Sequence, residues 1–252
     1  MHIKRDPSPN FNARRAPIDM LVLHYTGMES GEAAIARLKD PAAAVSSHYL
    51  VREDGVILQM VAERDRAWHA GVARWQGDDD LNSRSIGIEI VNGGHDFRLA
   101  DGGLPPFPRP QIAAVISLCG AILTRHPIPQ SRIVGHSDIA PDRKSDPGEH
   151  FPWQELAAHG IGIWPPVAPA GGGETLIGRG LGRGETGTPV ETLQRQLSTI
   201  GYILDGTGLY DEQMERVVLA FQRRWLPEWL TGQADLSTLA RIGQIAGLHG
   251  PR

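Results

Sequence analysis

Two apolar stretches of the sequence each carry one side chain that can bind a metal or transfer a proton. His24 ends MLVLH, and Glu89 lies inside SIGIEIV. In an extended strand, successive side chains point to opposite faces, so Glu89 lies opposite the three isoleucines of its stretch. By the same alternation, His24 faces away from the leucines that precede it. Taken singly, each residue also has an ordinary explanation, an exposed strand glutamate and a hydrogen-bonded histidine.

A third group of polar residues follows the stretch RIVGH. The segment GHSDIAPDRKSDPGEHFPW is rich in Pro and Asp, which predicts a loop after a strand. Loops held by a rigid scaffold are where binding and catalytic sites are built. A solvated turn also explains this density of charge, and spacing alone does not choose among the aspartates. The candidate residues of the segment are His136, Asp138, Asp142, Lys144 and Asp146.

The elements that position these residues form a front part of α/β character. Five short stretches rich in β-branched or aliphatic residues, each bounded by turn formers, predict strands: MLVLH, SHYLV, VILQM, SIGIEIV and RIVGH. GEAAIARLKD and PQIAAVISLCGAILTRH predict two helices, because apolar residues recur there at helical spacing. Cys119 falls on the apolar face of the second helix, and Pro127 ends that helix.

A segment dense in Pro and Gly, residues 165–189, predicts a linker. It separates a front domain, residues 1–164, from a back domain, residues 190–252. The back domain shows helical periodicity three times, which predicts a small three-helix bundle, and Asp211 is placed to cap the second helix. The three periodic sets are Val190, Leu193, Leu197 and Ile200; Met214, Val217, Val218, Phe221 and Trp225; and Leu236, Leu239 and Ile242.

Composition narrows the classes of function. The 252 residues are 40% hydrophobic and 21% charged, as in ordinary globular proteins. A net charge of −4 without a long basic run argues against nucleic acid as a partner. The single cysteine, Cys119, cannot form an internal disulfide. No signal peptide or membrane span is visible, so cytoplasm is the default location, with periplasm or outer membrane the alternative if a signal was removed. The sequence does not give the oligomeric state.

Together these stretches resemble the zinc amidases of the AmpD and AmiD type, within the wider amidase and peptidoglycan-recognition fold. The resemblance covers residues 17–153 and is carried, in family order, by LVLHYTGM, SSHYLVREDG, AWHAG, SIGIEIVN and GHSDIAPDRKSDPG. It implies a mixed central β-sheet flanked by helices. It also implies hydrolysis of the amide bond between N-acetylmuramic acid and L-alanine in peptidoglycan or muropeptides, during turnover and recycling of the bacterial cell wall.

The resemblance assigns roles to individual residues. His24, His136 and Asp146 are the implied ligands of one Zn²⁺ with water in the fourth position, the arrangement of a catalytic zinc. Glu89 is the implied general base and acid. Lys144 is implied to stabilise the negative charge that develops on the carbonyl oxygen. Only the family pattern selects Asp146 over the other aspartates of the loop.

Three further positions align with the family's substrate groove, His48, Trp68 and His69. A core aromatic residue is the other explanation of Trp68. The phage-type branch of the superfamily places a tyrosine where this chain has Ser47, so that tyrosine's role does not transfer. The departure favours the branch in which Glu89 handles protons.

The back domain, with GYILDGTGLYDEQMERVVLAFQRRW, resembles the three-helix peptidoglycan-binding module fused to many such enzymes. An unrelated helical dimerisation segment is the alternative. If the resemblance holds, the module raises the local concentration of enzyme on the wall. Two other functions remain open for the whole chain. One is a peptidoglycan-recognition protein without catalysis, and the other is a zinc enzyme that cuts a peptide bond inside the stem peptide.

Overall fold

A computed structural model describes residues 2–166 and 180–249 of the protein. Residues 2–166, here called the sheet unit, contain all the strands within these ranges, and residues 180–249, here called the helical unit, contain three long helices. The strands are β1 (Ile3–Arg5), β2 (Phe11–Ala13), β3 (Met20–Tyr25), β4 (Tyr49–Val51), β5 (Ile57–Gln59), β6 (Asp65–Ala67), β7 (Ser85–Ile90) and β8 (Ile133–Gly135). The helices are α1 (Gly31–Lys39), α2 (Leu81–Arg84), α3 (Arg109–Arg125), α4 (His136–Ile139), α5 (Trp153–Ala158), α6 (Thr188–Ile200), α7 (Glu212–Trp225) and α8 (Leu236–His249).

Six strands form one sheet in the order β1-β5-β4-β7-β3-β8. β4 and β5 pair antiparallel and the other neighbours pair parallel, so the prediction of a mixed sheet is confirmed. β2 and β6 form a separate antiparallel pair. All five predicted strands are present. The sequence did not predict β1, β2 or β6, because their residues IKR, FNA and DRA lack the run of aliphatic residues that marked β4, β5 and β8, which are equally short.

Both predicted helices of the sheet unit are confirmed as α1 and α3. The side chain of Ser30 caps α1 by accepting a hydrogen bond from the backbone N–H of Ala33. α3 ends at Arg125, two residues before the predicted break at Pro127. Cys119 is buried on its inner face, as the periodicity predicted.

The sheet carries an apolar core on each face. Leu21 and Leu23 of β3 pack with the isoleucines of β7 and with α3, whereas Met20 and Val22 pack toward the helical unit. Because side chains alternate along a strand, His24 lies on the same face as Val22. The face that carries His24 is therefore the one that the helical unit covers.

The helical unit contains the three predicted helices. Asp211 caps α7, since its carboxylate accepts a hydrogen bond of 2.9 Å from the backbone N–H of Met214. α6 begins at Thr188, inside the range predicted as linker. Residues 167–179 of that range lie outside the described residues. Within residues 2–166 and 180–249, no helix combines the length and the apolar character that crossing a bilayer requires.

The two units share one hydrophobic core. A single buried cluster contains Met20, Val22 and Trp75 of the sheet unit together with residues from all three long helices. The rings of Trp75 and Tyr202 meet edge to face, 5.1 Å between centroids. The helical unit is thus packed against the sheet unit rather than joined to it by chain alone.

Glu63 ties the end of α3 to the sheet. Its carboxylate accepts hydrogen bonds from the Tyr49 hydroxyl at 2.7 Å, the Arg125 guanidinium at 2.6 Å and the His126 ring at 2.9 Å. Burial acts to raise the pKa of Glu63, but these donors outweigh burial and lower the pKa to about 2. The ionised carboxylate therefore stabilises the folded state.

We expect Glu63→Gln to lower the free energy of unfolding at neutral pH by about 1.5–3 kcal/mol, the range for hydrogen bonds to a charged group. A depressed folded-state pKa means that the carboxylate's contribution is present above its ordinary pKa and is lost as pH falls toward about 2. Urea unfolding of parent and variant at neutral pH and at about pH 3 checks this. The difference in the free energy of unfolding between parent and Glu63→Gln should be smaller at the lower pH. An exposed control, Glu155→Gln, should differ from the parent at neither pH. A gap of equal size at both pH values would contradict the assignment.

Candidate metal centre

The candidate site lies at the carboxyl edge of the parallel strands. β3 lies between β7 and β8 and runs parallel to both. His24, near the end of β3, is in register with Glu89 of β7. His136 is the first residue of α4 and directly follows β8. Sheets of this kind carry their ligands at the carboxyl ends of the strands. Strand pairing therefore brings these three side chains to one edge.

Three buried side chains converge there, His24, His136 and Asp146. Nδ1 of His24 lies 3.0 Å from Nδ1 of His136, and Oδ2 of Asp146 lies 3.0 Å from each of these nitrogens. In a tetrahedral zinc site, ligand atoms about 2.0 Å from the ion lie about 3.3 Å from one another. The triangle of two nitrogens and one oxygen therefore has both the size and the donor types that such an ion requires.

A chain of hydrogen bonds sets the tautomer of His24. The Ser85 hydroxyl donates to the Leu81 carbonyl at 2.6 Å, so it accepts from Nε2–H of His69 at 3.1 Å. Nδ1 of His69 then carries no proton and accepts from Nε2–H of His24 at 3.0 Å. Nδ1 of His24 is left with a lone pair that faces the triangle, which is the form a ligand needs.

The other two ligands are held in the same way. Nε2–H of His136 donates to the Ala70 carbonyl at 3.1 Å, and this bond turns Nδ1 of His136 toward the triangle. Burial, with His136 acting in the same direction, lowers the pKa of His24 to about 4, so that ring is neutral at neutral pH. Burial acts to raise the pKa of Asp146, but the two imidazoles outweigh it and hold that pKa well below its usual range. Neutral imidazole and ionised carboxylate are the metal-binding forms.

His69 reaches its place behind His24 because residue 87 is glycine. A Cβ at Gly87 would lie 2.4 Å from the His69 ring, closer than any side chain permits. The ring is nearly buried, with 8% of His69 exposed, and it borders the pocket. The structure thus places His69 in contact with the implied ligand His24, a placement that the sequence did not predict.

Glu89 lines the same pocket with one carboxylate oxygen unpaired. Oε2 is buried and has no hydrogen-bond partner among the described residues. Burial raises the pKa of Glu89 well above its ordinary value, the negative charge of Asp146 adds to this, and Lys144 opposes it. A pocket carboxyl group whose pKa is raised above its ordinary value is a candidate general acid or base.

Lys144 also lines the pocket, and its charge acts on both Glu89 and His24. Within residues 2–166 and 180–249 it forms no ion pair with a carboxylate. The ordinary explanation, a surface lysine paired with Asp142 or Asp146, is therefore not what the described residues show. The ammonium group is available to a ligand in the pocket.

The other carboxylates of the loop point elsewhere. Asp138 is buried and accepts hydrogen bonds from the backbone N–H of Gly135 and from Arg224, both at 2.8 Å. Asp142 is exposed. Neither belongs to the triangle, so tertiary structure makes the choice among aspartates that spacing left open.

The implied substrate residues are placed differently from one another. Trp68 is half-buried on the pocket wall, and its Nε1–H donates to Asn12 at 2.9 Å. His48 is fully buried and does not line the pocket. Its Nδ1 accepts from the backbone N–H of Gly87 at 3.0 Å, and its Nε2 lies 2.7 Å from Arg14. This placement is at odds with the expected contact between His48 and substrate, because both ring nitrogens are engaged inside the protein.

The pocket also contains side chains that the sequence analysis did not select. Tyr25 is the last residue of β3, and His95 lies in the segment that follows β7. Their location at the carboxyl ends of parallel strands is the sequence signal that could have selected both. The Tyr25 hydroxyl lies 2.9 Å from Nδ1 of His95, whose Nε2 lies 3.1 Å from Glu149. Packing alone brings Arg37 of α1 to the site. The added lining residues include Tyr25, Arg37, His95, Asp96 and Arg143.

Comparison with known families identifies the chain. Residues 14–149, more than half of its length, match the family model described as N-acetylmuramoyl-L-alanine amidase. The chain belongs to this family. Residues 186–242 of this amidase match a second family model, described as a putative peptidoglycan binding domain.

Individual relatives agree with the family assignment. The amidase is 40% identical over 242 residues to N-acetylmuramoyl-L-alanine amidase AmiD of Escherichia coli (strain K12), covering 92% of this chain and 84% of AmiD. It is 36% identical over 176 residues to 1,6-anhydro-N-acetylmuramyl-L-alanine amidase AmpD of Citrobacter freundii, covering 62% of this chain and 88% of AmpD.

Solved structures share the fold. A complex of AmiD from E. coli is 35% identical to the amidase, with a TM-score of 0.77, and the match covers 96% of this chain and 94% of AmiD. AmpDh3 from Pseudomonas aeruginosa is 32% identical, with a TM-score of 0.73 and 92% of both chains covered. The match to AmiD therefore spans both the sheet unit and the helical unit.

We expect Zn²⁺ to raise the midpoint of thermal unfolding, because a ligand that binds only the folded state stabilises it. The gain is about 2.7 kcal/mol when free ion is 100 times its Kd. Thermal unfolding with Zn²⁺ and with a chelator checks this. Asp146→Asn should abolish the shift, whereas Asp142→Asn, an exposed aspartate of the same loop, should keep it. An equal shift in both variants, or no shift in the parent, would contradict the proposed ligand set.

Proposed function

We propose that the amidase uses zinc to hydrolyse the amide bond between N-acetylmuramic acid and L-alanine in peptidoglycan or in muropeptides released from it. The observation that carries the proposal is the triangle of His24, His136 and Asp146, with the unpaired Oε2 of Glu89 in the same pocket. Family membership supports the class of bond. The AmiD structure contains anhydro-N-acetylmuramic acid-L-Ala-D-γ-Glu-L-Lys, and an AmpDh3 structure contains an anhydromuramic pentapeptide. We extend the same substrate class to this chain.

His24, His136 and Asp146 would hold the zinc ion. Three protein ligands leave one coordination position open, as in catalytic rather than structural zinc sites. Zinc bound in this way supplies a nucleophile at neutral pH and polarises the carbonyl of an amide. The chain's own contribution is to keep the His24 ring neutral, the Asp146 carboxylate ionised and all three donor atoms facing one point.

Glu89 is the proposed general base and general acid. Its raised pKa makes the carboxylate a better acceptor for the proton of the attacking water than an ordinary glutamate. The same proton then passes to the nitrogen of L-alanine, because an amide nitrogen leaves only when it is protonated. The unpaired Oε2 is the atom that we assign to both transfers.

Lys144 is proposed to stabilise the negative charge that develops on the amide oxygen during attack. It lines the pocket and has no carboxylate partner among the described residues, so its charge is available to the substrate. Placement ahead of the reaction makes such a charge effective, because no reorganisation is needed as the oxygen becomes negative.

The pocket wall provides contacts for the rest of the muropeptide. The half-buried ring of Trp68 offers a face on which a sugar can pack. Arg37 borders the same pocket and suits a carboxylate of a stem peptide, whereas Arg143 already donates to the carbonyls of Ala70 and Val72. His69 is proposed to orient His24, and His48 to support the sheet beneath the pocket. The helical unit is proposed to bind the wall polymer, in keeping with its family match.

Product analysis tests the proposal directly. Purified enzyme with Zn²⁺ is incubated with soluble anhydro-muropeptides and, in parallel, with intact sacculi, and the products are identified by mass spectrometry. The expected products are a free muramic acid carboxyl group and a peptide that begins with the free amine of L-alanine. Cleavage inside the stem peptide, or binding without any cleavage by the zinc-loaded protein, would overturn the proposal.

We expect Glu89→Ala to fold and to bind zinc as the parent does. Its kcat should be lower by a factor of about 10²–10⁴, the usual contribution of a general acid or base. Steady-state kinetics on an anhydro-muropeptide, together with zinc analysis, measure both properties. Glu155→Ala, which removes an exposed glutamate of α5, is the matched control and should retain parent kinetics. Turnover of Glu89→Ala within several-fold of the parent would exclude this role.

A further inference from the structure

A buried ion pair joins the helical unit to the element that carries His136. Nη1 of Arg224, on α7, donates to Oδ2 of Asp138, on α4, at 2.8 Å. Both side chains are almost inaccessible, with 4% of Arg224 and 1% of Asp138 exposed. Neither residue lies in the pocket, so this pair is separate from the proposed catalytic groups.

Asp138 holds the start of α4 with its other hydrogen bonds. Its Oδ2 also accepts the backbone N–H of Gly135 at 2.8 Å, and Gly135 is the residue immediately before His136. Its Oδ1 accepts from the Tyr202 hydroxyl at 2.9 Å. Arg224 and Tyr202 both belong to the helical unit. The backbone that positions His136 is therefore fixed by a carboxylate whose side-chain partners come from the other unit.

Arg224 is itself held in one orientation. Its Nη2 donates to the carbonyl of Ile133 in β8 at 2.9 Å. Its guanidinium lies over the rings of Trp153 and Trp225, 4.3 and 4.4 Å from their centroids. One side chain of the helical unit thus bonds to β8 and, through Asp138, to α4, the two elements that meet at His136.

The same helix, α7, contacts residues 136–149, here called the metal-binding loop, at two more points. Arg216 donates to the backbone carbonyl of Asp142 at 3.3 Å. Nε of Arg223 lies 3.5 Å from Glu149. The implied ligand Asp146 lies between these two contacts in the sequence. α7 therefore contacts the loop at Asp138, Asp142 and Glu149, on both sides of Asp146 in the sequence.

AmpD of Citrobacter freundii provides a contrast. It aligns over 88% of its own length with only 62% of this chain. The amidase family model covers residues 14–149, whereas Arg224 and Tyr202, the side-chain partners of Asp138, lie outside that range. Without these partners a buried carboxylate would keep only one backbone N–H, which is unfavourable for an ionised group.

We propose that Asp138 and Arg224 are positioning residues for the metal ligand His136, so that the helical unit supports the metal centre in addition to binding the wall. The inference rests on the proposed function, because it takes His24, His136 and Asp146 as the zinc ligands. It goes beyond that function by assigning the helical unit a part in metal affinity and turnover on substrates too small to reach it.

Arg224→Met in the full chain tests the proposal, since methionine fills much of the same space without charge. We expect the Kd for Zn²⁺, measured by competition with a chromophoric chelator, to rise by about 10–100-fold, as for other residues that orient metal ligands. On a soluble anhydro-muropeptide with excess zinc, kcat should fall while KM changes little. A helical unit that only binds the wall would instead leave both parameters unchanged on this small substrate. Arg224→Lys should restore part of the zinc affinity, because it restores the positive charge.

Arg241→Met is the matched control. Arg241 is also a buried arginine of the helical unit, 4% exposed and 5.3 Å from the centroid of the Trp164 ring. It donates to the carbonyl of Pro165 at 3.0 Å and has no hydrogen bond to the metal-binding loop among the described residues. Its replacement should lower thermal stability without changing the Kd for Zn²⁺. This separates loss of a buried charge from loss of positioning.

Tyr202→Phe keeps the test decisive if Arg224→Met does not fold. It removes one hydrogen bond to Asp138 and keeps the ring against Trp75, so a smaller rise in the zinc Kd is expected. Parent-like zinc affinity in Tyr202→Phe and in every folded Arg224 variant would overturn the inference. Failure of the parent chain to bind zinc or to cut muropeptides would instead overturn the proposed function, so the two failures are distinguishable.

Discussion

The parallel pairing of β3 with β7 on one side and β8 on the other is the constraint on which the candidate site depends. It sets His24 in register with Glu89 and puts the end of β8 beside them, so that His136 follows at the same edge. A slip of one residue in β3 would turn His24 to the opposite face, among the leucines and isoleucines that pack under α3. The apolar alternation of β3 and β7 thus fixes the position of the chemistry as well as the core.

Burial then determines the chemical state of each group. An imidazole in this environment loses its proton more readily, and the Ser85 to His69 to His24 chain of hydrogen bonds leaves the free lone pair on one side of the ring. Burial has the opposite consequence for Glu89, whose pKa it raises together with the nearby negative charge of Asp146, against the smaller effect of Lys144. Desolvation in one pocket therefore lowers the pKa of His24 and raises the pKa of Glu89.

The helical unit contributes to the candidate site by packing against the sheet and by placing charged side chains on the loop. Its three helices complete the apolar core on the face of the sheet that carries His24. Its arginines on α7 contact the loop that contains the rest of the site. A module that only tethers an enzyme to a polymer needs neither feature, since a flexible connection is enough to raise local concentration. The shared core indicates that the two units form one packed body around the candidate metal centre.

The sequence by itself determined the five main strands, the helices α1 and α3, the three-helix unit and the cap at Asp211, because periodic apolar spacing and capping are local properties. Resemblance to known amidases then selected His24, His136, Asp146, Glu89 and Lys144, all of which border one pocket. Tertiary structure alone decided that Asp138 turns to Arg224 instead of the triangle, that His48 lies beneath the pocket, and that Arg37 reaches it. Those outcomes depend on which surfaces meet in space, and residues more than 80 positions apart, such as Asp138 and Arg224, leave no periodic signal of their contact.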